Sequence, residues 1–392
     1  MRVACQPKIA VRTVQDPSFE VIVVGGGVAG LGVAWELAQR GRRVRVLEGR
    51  HVGAGATWAA AGMLAPSAEI GFEELDLYAL GRESLARWPV FARRLEAASG
   101  QSVGYRDDGT LVVADDRDSL RALRRLFDFQ TDHGVPVEWL SGEEAVDLEP
   151  MLSPRLPAAI VAPGDHQVDN RAVLRALHRA ALASGVDVRE ETPVSHIVPG
   201  ADRPEVVLAD GTTLDARAVV LAAGAWSASL GGLDPAPPVR GVKGQALALR
   251  LDPDRGLDLR HVVRGPDAYL VPKADGRLVV GATSEDGVPD TRVTGGGVFR
   301  LLEGAVAVVP GVEEMEFVET WAAHRPASRD HAPLLGQSAH PGVFYATGHY
   351  RHGVLLAPVT AEEVAAAVDR TLAGAPETAP VLAPFAPLRF PS

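Results

Sequence analysis

The chain has 392 residues, of which 46% are hydrophobic and 23% charged, with a formal net charge of −11. That length suits two or three domains with an ordinary globular core. The acidic balance argues against a nucleic-acid partner, because phosphate backbones need a positive stripe. The single cysteine, Cys5, leaves no intramolecular disulfide to build.

Residues 1–17 contain basic residues but no apolar stretch long enough for a signal peptide. The longest apolar run elsewhere surrounds Ala218–Trp226, about half of a membrane span. A cytoplasmic location with no membrane partner is therefore expected. Phe19–Val24 reads as a buried strand rich in β-branched residues. A glycine-rich turn follows, then a helix over Leu31–Arg40 that Gly41 ends. Val44–Leu47 is a second strand, closed by Glu48. Phe72–Ala98 has helical period, and Gly104–Ala114 reads as a hairpin around Asp108-Gly109. Helices are expected over Ser119–His133, Gly142–Leu148 and Asn170–Ser184, with a strand at Val186–Arg189. Glu205–Leu214 should turn at Asp210-Gly211, and Ala218–Ala222 is a buried strand running into Gly224. Several strands fill 240–284, including a hairpin at Asp275-Gly276 between Tyr269–Pro272 and Arg277–Gly281. Thr294–Val309 is glycine-rich and then helical. Val343–Ala346 is a last strand, followed by Gly348 and a helix over Thr360–Leu372. A Pro-rich tail from Ala375 is expected to be irregular. The sum is an α/β nucleotide-binding layer from 19–68, 165–235 and 330–373. The stretches 69–164 and 236–329 form a second, sheet-rich substrate domain, with tails at 1–18 and 374–392.

Gly25, Gly27 and Gly30 form a G-x-G-x-x-G between the first strand and the first helix. The first glycine permits the tight turn, the second lets backbone approach a pyrophosphate, and the third lets helix pack on strand. Free N–H groups and the positive end of the helix dipole then face the phosphates. Glu48 ends the second strand, where a carboxylate accepts hydrogen bonds from ribose hydroxyls. This motif serves NAD and FAD alike. Two further segments favour FAD: Val219–Gly224, which repeats a buried strand ending in small residues, and Gly348–Gly353, whose backbone N–H groups suit a flavin pyrimidine edge.

With those residues in hand, the chain resembles the D-amino-acid oxidase family of FAD-dependent oxidoreductases, and within it the glycine-oxidase branch tied to thiamine biosynthesis. The matching stretches are Ala54–Leu64, Pro238–Gln245, Tyr269–Thr283, Trp321–Pro326 and Gly348–Pro358. The resemblance implies a Rossmann-like FAD domain of glutathione-reductase type and an antiparallel-sheet substrate domain. It implies non-covalent FAD, a small amino-acid substrate with glycine first, oxidation to an imine, oxygen as acceptor and hydrogen peroxide as product. It also implies a homo-oligomer, a tetramer in many relatives. The loop Ala59–Met63 would pass close to the flavin, through Ala60, Ala61, Gly62 and Met63. Val194, Gly224, Arg325, Gly348, Arg351, His352, Gly353, Val354 and Leu355 complete the implied cofactor contacts. Arg325 would grip the substrate carboxylate with two parallel hydrogen bonds, Tyr269 would donate to the same group, and Arg351 would lie near the entrance. Asp267, Ala268, Ser284 and His352 depart from residues found in relatives.

Hydride transfer from the α-carbon of a neutral amine to flavin N5 needs no side-chain base, and the motifs offer no obvious one. Alternative readings are an oxidase of sarcosine or small D-amino acids, a dehydrogenase passing electrons to another carrier, and a non-catalytic flavin protein. His349 and His352 sit three apart without a cysteine or carboxylate set, so no metal is expected. Tyr350 and Trp321 read as packing residues, and Arg240, Lys243 and Arg277 as solvated or structural charges.

Overall fold

A strand with neighbours on both edges and layers on both faces must be apolar throughout, and Val21–Val24 (VIVV) is wholly buried. In the computed structural model, which describes residues 19–200, 203–375 and 380–390, this strand lies near the middle of a six-stranded sheet. Cys5 lies outside the described residues. The spatial order is Leu334–Gln337, Val343–Thr347, Ala218–Leu221, Val21–Val24, Val44–Leu47 and Asp187–Arg189. All neighbours run parallel except the edge strand Leu334–Gln337.

Alternation along the central strand assigns each face its layer. Val21 and Val23 pack with the helices Val28–Gln39, Leu75–Ser99, Asn170–Ala183 and Ala357–Leu372. Ile22 and Val24 point the other way, onto a three-stranded sheet of Val194–Val198, Glu205–Leu208 and Thr213–Asp215. The first and last helices approach closely at Gly32, where a Cβ would stand 3.0 Å from the Ala361 methyl.

The second layer is a nine-stranded sheet, mostly antiparallel, built from strands between Thr110 and Ala162 and between Arg240 and Ala327. Its longest pairing joins Arg240–Arg250 to Glu316–Ala327. One face rests on the helix Gly295–Val308 through Leu247, Leu270, Val280, Leu301 and Ala305. The fold is thus α/β with a Rossmann-like layer and a sheet-rich layer.

The structure corrects some local expectations. Gly104–Ala114 is not a hairpin. All five residues of Thr110–Ala114 are buried, so that strand takes apolar partners, pairing with Ala158–Ala162 and Val262–Arg264. The polar arm before it instead bridges Gln167 through Arg106. The first helix starts at Val28 and the last at Ala357, each about one turn earlier than expected. The Pro-rich tail is not irregular throughout: Pro380–Phe385 and Pro387–Arg389 are 3-10 turns, with Leu382 and Phe385 buried.

Trp88 is fully buried in the long helix, and its indole N–H donates to the Leu355 carbonyl at 2.9 Å. It therefore ties that helix to the turn preceding Ala357–Leu372. Trp88→Ala should destabilise the protein by roughly 3–5 kcal/mol through cavity formation, measured as a lower midpoint in guanidinium denaturation.

Candidate active site

The carboxyl ends of parallel strands leave a crevice where the chain turns into helices, and ligands of open α/β sheets bind there. Here Val24, Leu47, Ala222 and Ala346 bring four such ends to one cavity of about 430 Å³. The substrate-side sheet closes it with Gly244, Ala246, Tyr269 and Arg325.

At one end lies the glycine turn. Gly25 has φ +115°, and a Cβ there would collide with the Ala222 carbonyl. Gly27 is the N-cap of the first helix and has no side chain to cap it; Val28 N donates to Thr57 Oγ1 at 3.1 Å, and Gly27, Val28 and Ala29 bring the helix start to the cavity wall. Gly30 does not line the cavity. A Cβ on it would strike the Gly25 carbonyl, so its role is to let helix and turn touch. Glu48 lines the wall, accepting from Gly26 N at 2.7 Å and Arg50 N at 2.9 Å. Val194 and Gly224 line the same end, beside Trp226 with the Arg50 guanidinium 4.8 Å over its ring.

The loop Ala59–Met63 forms the middle of the wall. Its small residues leave room, and neighbouring groups fix its path. Asn170 Nδ2 donates to the Thr57 and Trp58 carbonyls at 2.8 and 3.0 Å, and Trp321 Nε1 to the Ala59 carbonyl at 2.9 Å. Gly62 has φ +78°, and a Cβ there would collide with the Val168 carbonyl. That carbonyl also accepts from the buried Lys273 ammonium at 2.7 Å. The start of the first helix, the Glu48 carboxylate and a groove that side chains would fill together fit a dinucleotide with a flat ring system.

At the other end, strand register places Arg325 opposite Val242. Its Nη1 donates to the Thr283 carbonyl at 3.0 Å. A Cβ on Gly244 would overlap the guanidinium, so glycine there is what gives Arg325 its place. Gly281 does the same for the Tyr269 ring. Burial pushes the Tyr269 phenol above its ordinary value although Arg325 hydrogen-bonds to it and pulls the other way. Tyr269 is thus a neutral donor beside a permanent cation. Arg351 lines the mouth and is exposed. Its loop is fastened to the Arg325 strand by the Ala327–His349 bridge and by Tyr350 N on the Pro326 carbonyl at 2.7 Å. The Tyr350 ring stacks on His331 with centroids 4.4 Å apart.

The cavity therefore brings together Gly25, Gly27, Glu48, Ala60, Ala61, Gly62, Met63, Val194, Gly224, Tyr269, Arg325, Arg351, Gly353 and Val354. Gly30, Gly348, His352 and Leu355 are not on its wall. Leu355 is buried, its carbonyl taken by Ser84 and Trp88. His352 is buried behind the wall, and burial holds its imidazole below the usual range. His349 lines the cavity, bonds Thr360 Oγ1 at 3.0 Å, and is pushed down to about 4 by burial. Among the described residues no group of histidine, cysteine and carboxylate side chains is placed to hold a metal. Asp267, Ala268 and Ser284 lie off the wall, so those departures do not reshape it. Lys243 pairs with Asp290 and Glu285 at 3.3 and 3.5 Å, and Arg277 with Asp169 at 2.6 Å, both structural charges.

One wall residue carries no motif signal. Glu69 lines the cavity at the Tyr269 end, within electrostatic reach of that phenol. Its position five residues beyond Leu64, where the matching stretch Ala54–Leu64 ends, is the one hint the sequence holds.

A family model described as FAD dependent oxidoreductase matches residues 20–367. A glycine oxidase of Geobacillus kaustophilus is 38% identical over 372 residues, 94% of this chain and 96% of that protein. A crystal structure of glycine oxidase from the same organism superposes with a TM-score of 0.87 at 36% identity, covering 95% of this chain and 99% of that one. An iminodiacetate oxidase from Chelativorans sp. BNC1 superposes with a TM-score of 0.82 at 29% identity, covering 94% and 99%.

Lys273 gives the support of the Ala59–Met63 loop a pH signature. Burial pushes its amine down to about 7 from the ordinary 10.5. Between those values the unfolded chain holds a proton that the folded protein has released, so stability rises with pH across that window. Lys273→Met should flatten the rise. Denaturant midpoints at pH 7 and pH 9.5 check this, with a difference on the order of a few kcal/mol expected in the wild type and little in the variant.

Proposed function

This chain belongs to the FAD dependent oxidoreductase family and is an FAD enzyme that oxidises amines or amino acids, and from that premise we propose that its substrate is glycine. The observation that carries this reading is the convergence of Arg325 and Tyr269 on the cavity end next to the small-residue loop. The overall change is glycine, oxygen and water to glyoxylate, ammonia and hydrogen peroxide. The names of the relatives support the same substrate.

In this reading the guanidinium of Arg325 takes the substrate carboxylate through parallel hydrogen bonds, and neutral Tyr269 adds a third. Two fixed donors on rigid strands orient the α-carbon toward the loop Ala59–Met63. FAD, held by Gly25, Gly27, Glu48, the loop and the backbone of Gly353 and Val354, supplies the two-electron acceptor when bound. In this reading residues 19–68, 165–235 and 330–373 form its layer together with the helix Leu75–Ser99, which packs there rather than on the substrate side, and 100–164 with 236–329 form the substrate side. A second reading, N-substituted glycines such as sarcosine, is favoured by Arg351 at the open mouth, where a substituent would extend.

Peroxide release by the yellow protein in air, with glycine, sarcosine, D-alanine and D-proline compared, tests the substrate. Glycine at least as efficient as the rest supports the proposal, and no peroxide with any of them overturns it. Arg325→Ala should raise KM for glycine about a hundredfold, the loss of charge-assisted hydrogen bonds, while FAD stays bound. Gly244→Ala should act in the same direction by displacing the guanidinium. Unchanged flavin reduction at saturating and subsaturating glycine in Arg325→Ala would remove the clamp assignment.

A further inference from the structure

Glu69 sits on an irregular segment that buried polar groups hold in place. The Asp165 carboxylate accepts from Ser67 N at 3.0 Å and Ala68 N at 2.8 Å. Gln130 Nε2 donates to the Ser67 carbonyl at 2.8 Å, and Arg264 Nη1 donates to the Ala68 carbonyl. A loop tied by two buried side chains and the half-buried Arg264 presents its next residue with little freedom. The Glu69 side chain is 10% exposed, with one side on the main cavity.

Its other side borders a second, small cavity of about 10 Å³, lined also by Glu74, Tyr78 and His352. That is about the room one water needs. His352 Nδ1 and the Tyr78 hydroxyl are both buried there without a hydrogen-bond partner among the described residues. His352 Nδ1 stands 3.9 Å from Glu69 Oε2, too long for a direct bond, and the small cavity beside them has room for a water that reaches both. Two buried polar atoms and a carboxylate around a water-sized space form a built site.

An amino acid is a zwitterion at neutral pH, and its nitrogen must hold a lone pair before hydride leaves the α-carbon. Resting on the amino-acid reading above, we propose that Glu69 is the base that takes this proton, and that His352 and Tyr78 behind it hold its carboxylate in place through a bridging water. The substrate N–H bond breaks, its electron pair stays on nitrogen, and an O–H bond forms on Glu69. The proton leaves to solvent through the cavity mouth when product departs. The charged or titratable groups that face Glu69 are Tyr269, Arg325 and Arg351 on the cavity side, His352, Glu74 and Arg264 behind it, and Asp165 below its loop.

The test uses holoenzyme and Glu69→Gln. Anaerobic flavin reduction by glycine should fall about a hundredfold at pH 7 in the variant, the usual loss of a positioned base. It should approach wild type at pH values high enough to deprotonate free glycine. Acetate, which has the carboxylate but no nitrogen and is not oxidised, is titrated by its perturbation of the flavin spectrum. Removing a like charge from the same cavity should tighten acetate about fivefold. A parallel loss in Glu69→Gln at every pH, or acetate weakened with glycine, would make Glu69 structural and overturn the proposal. If glycine failed to reduce even the wild type, the substrate reading would fall, and the acetate comparison, which involves no turnover, would still decide the charge role of Glu69.

Discussion

The antiparallel pairing of Arg240–Arg250 with Glu316–Ala327 is the constraint on which the site rests. Side chains alternate across a sheet with period two, so a slip of one residue would carry Arg325 to the face that packs on the helix Gly295–Val308. The register runs unbroken from Arg240 to Ala248 and shifts only beyond it, between Ala248 and Leu249, and Gly244 then leaves the space that the guanidinium fills. The same strand carries Trp321, whose indole fixes the Ala59 carbonyl of the small-residue loop. One ladder thus sets the distance between the carboxylate clamp and the surface meant for the flavin.

The polar groups behind the walls are as ordered as those on them. Lys273, Asp165, Gln130 and His352 are all buried, and each but His352 spends a hydrogen bond on a backbone carbonyl or amide of a wall-forming loop or its support. Burying a polar group without a partner is costly, so such groups persist where a loop without ladder hydrogen bonds needs an alternative. The stretch from Ala60 to Ile70, in which Met63–Leu64 alone pairs with another strand, is held in this way. Its precision comes from residues distant in sequence rather than from its own secondary structure.

That distance explains what the sequence revealed and what it hid. The glycine turn, Glu48 and the pairing of Tyr269 with Gly281 are local patterns whose chemistry follows from spacing, and they were legible. The strand Glu316–Ala327 was not, because its mixed sequence shows neither period and gains its conformation from its partner. Glu69 stayed hidden because Asp165, 98 residues from Ser67, is what aims its segment. His352 was expected at the flavin and lies behind the wall because its backbone is folded into a turn, donating to His349 and accepting from Leu356.

The cavity wall draws on Gly25 near one end of the described chain, Val354 near the other, and strands from both sheets between them. A cofactor seated there acts as a non-covalent cross-link between segments that the chain itself connects only through long detours. Its binding energy adds directly to the cohesion of both layers by mass action. Occupancy and stability in this protein are therefore linked, and free FAD above its dissociation constant raises the melting temperature.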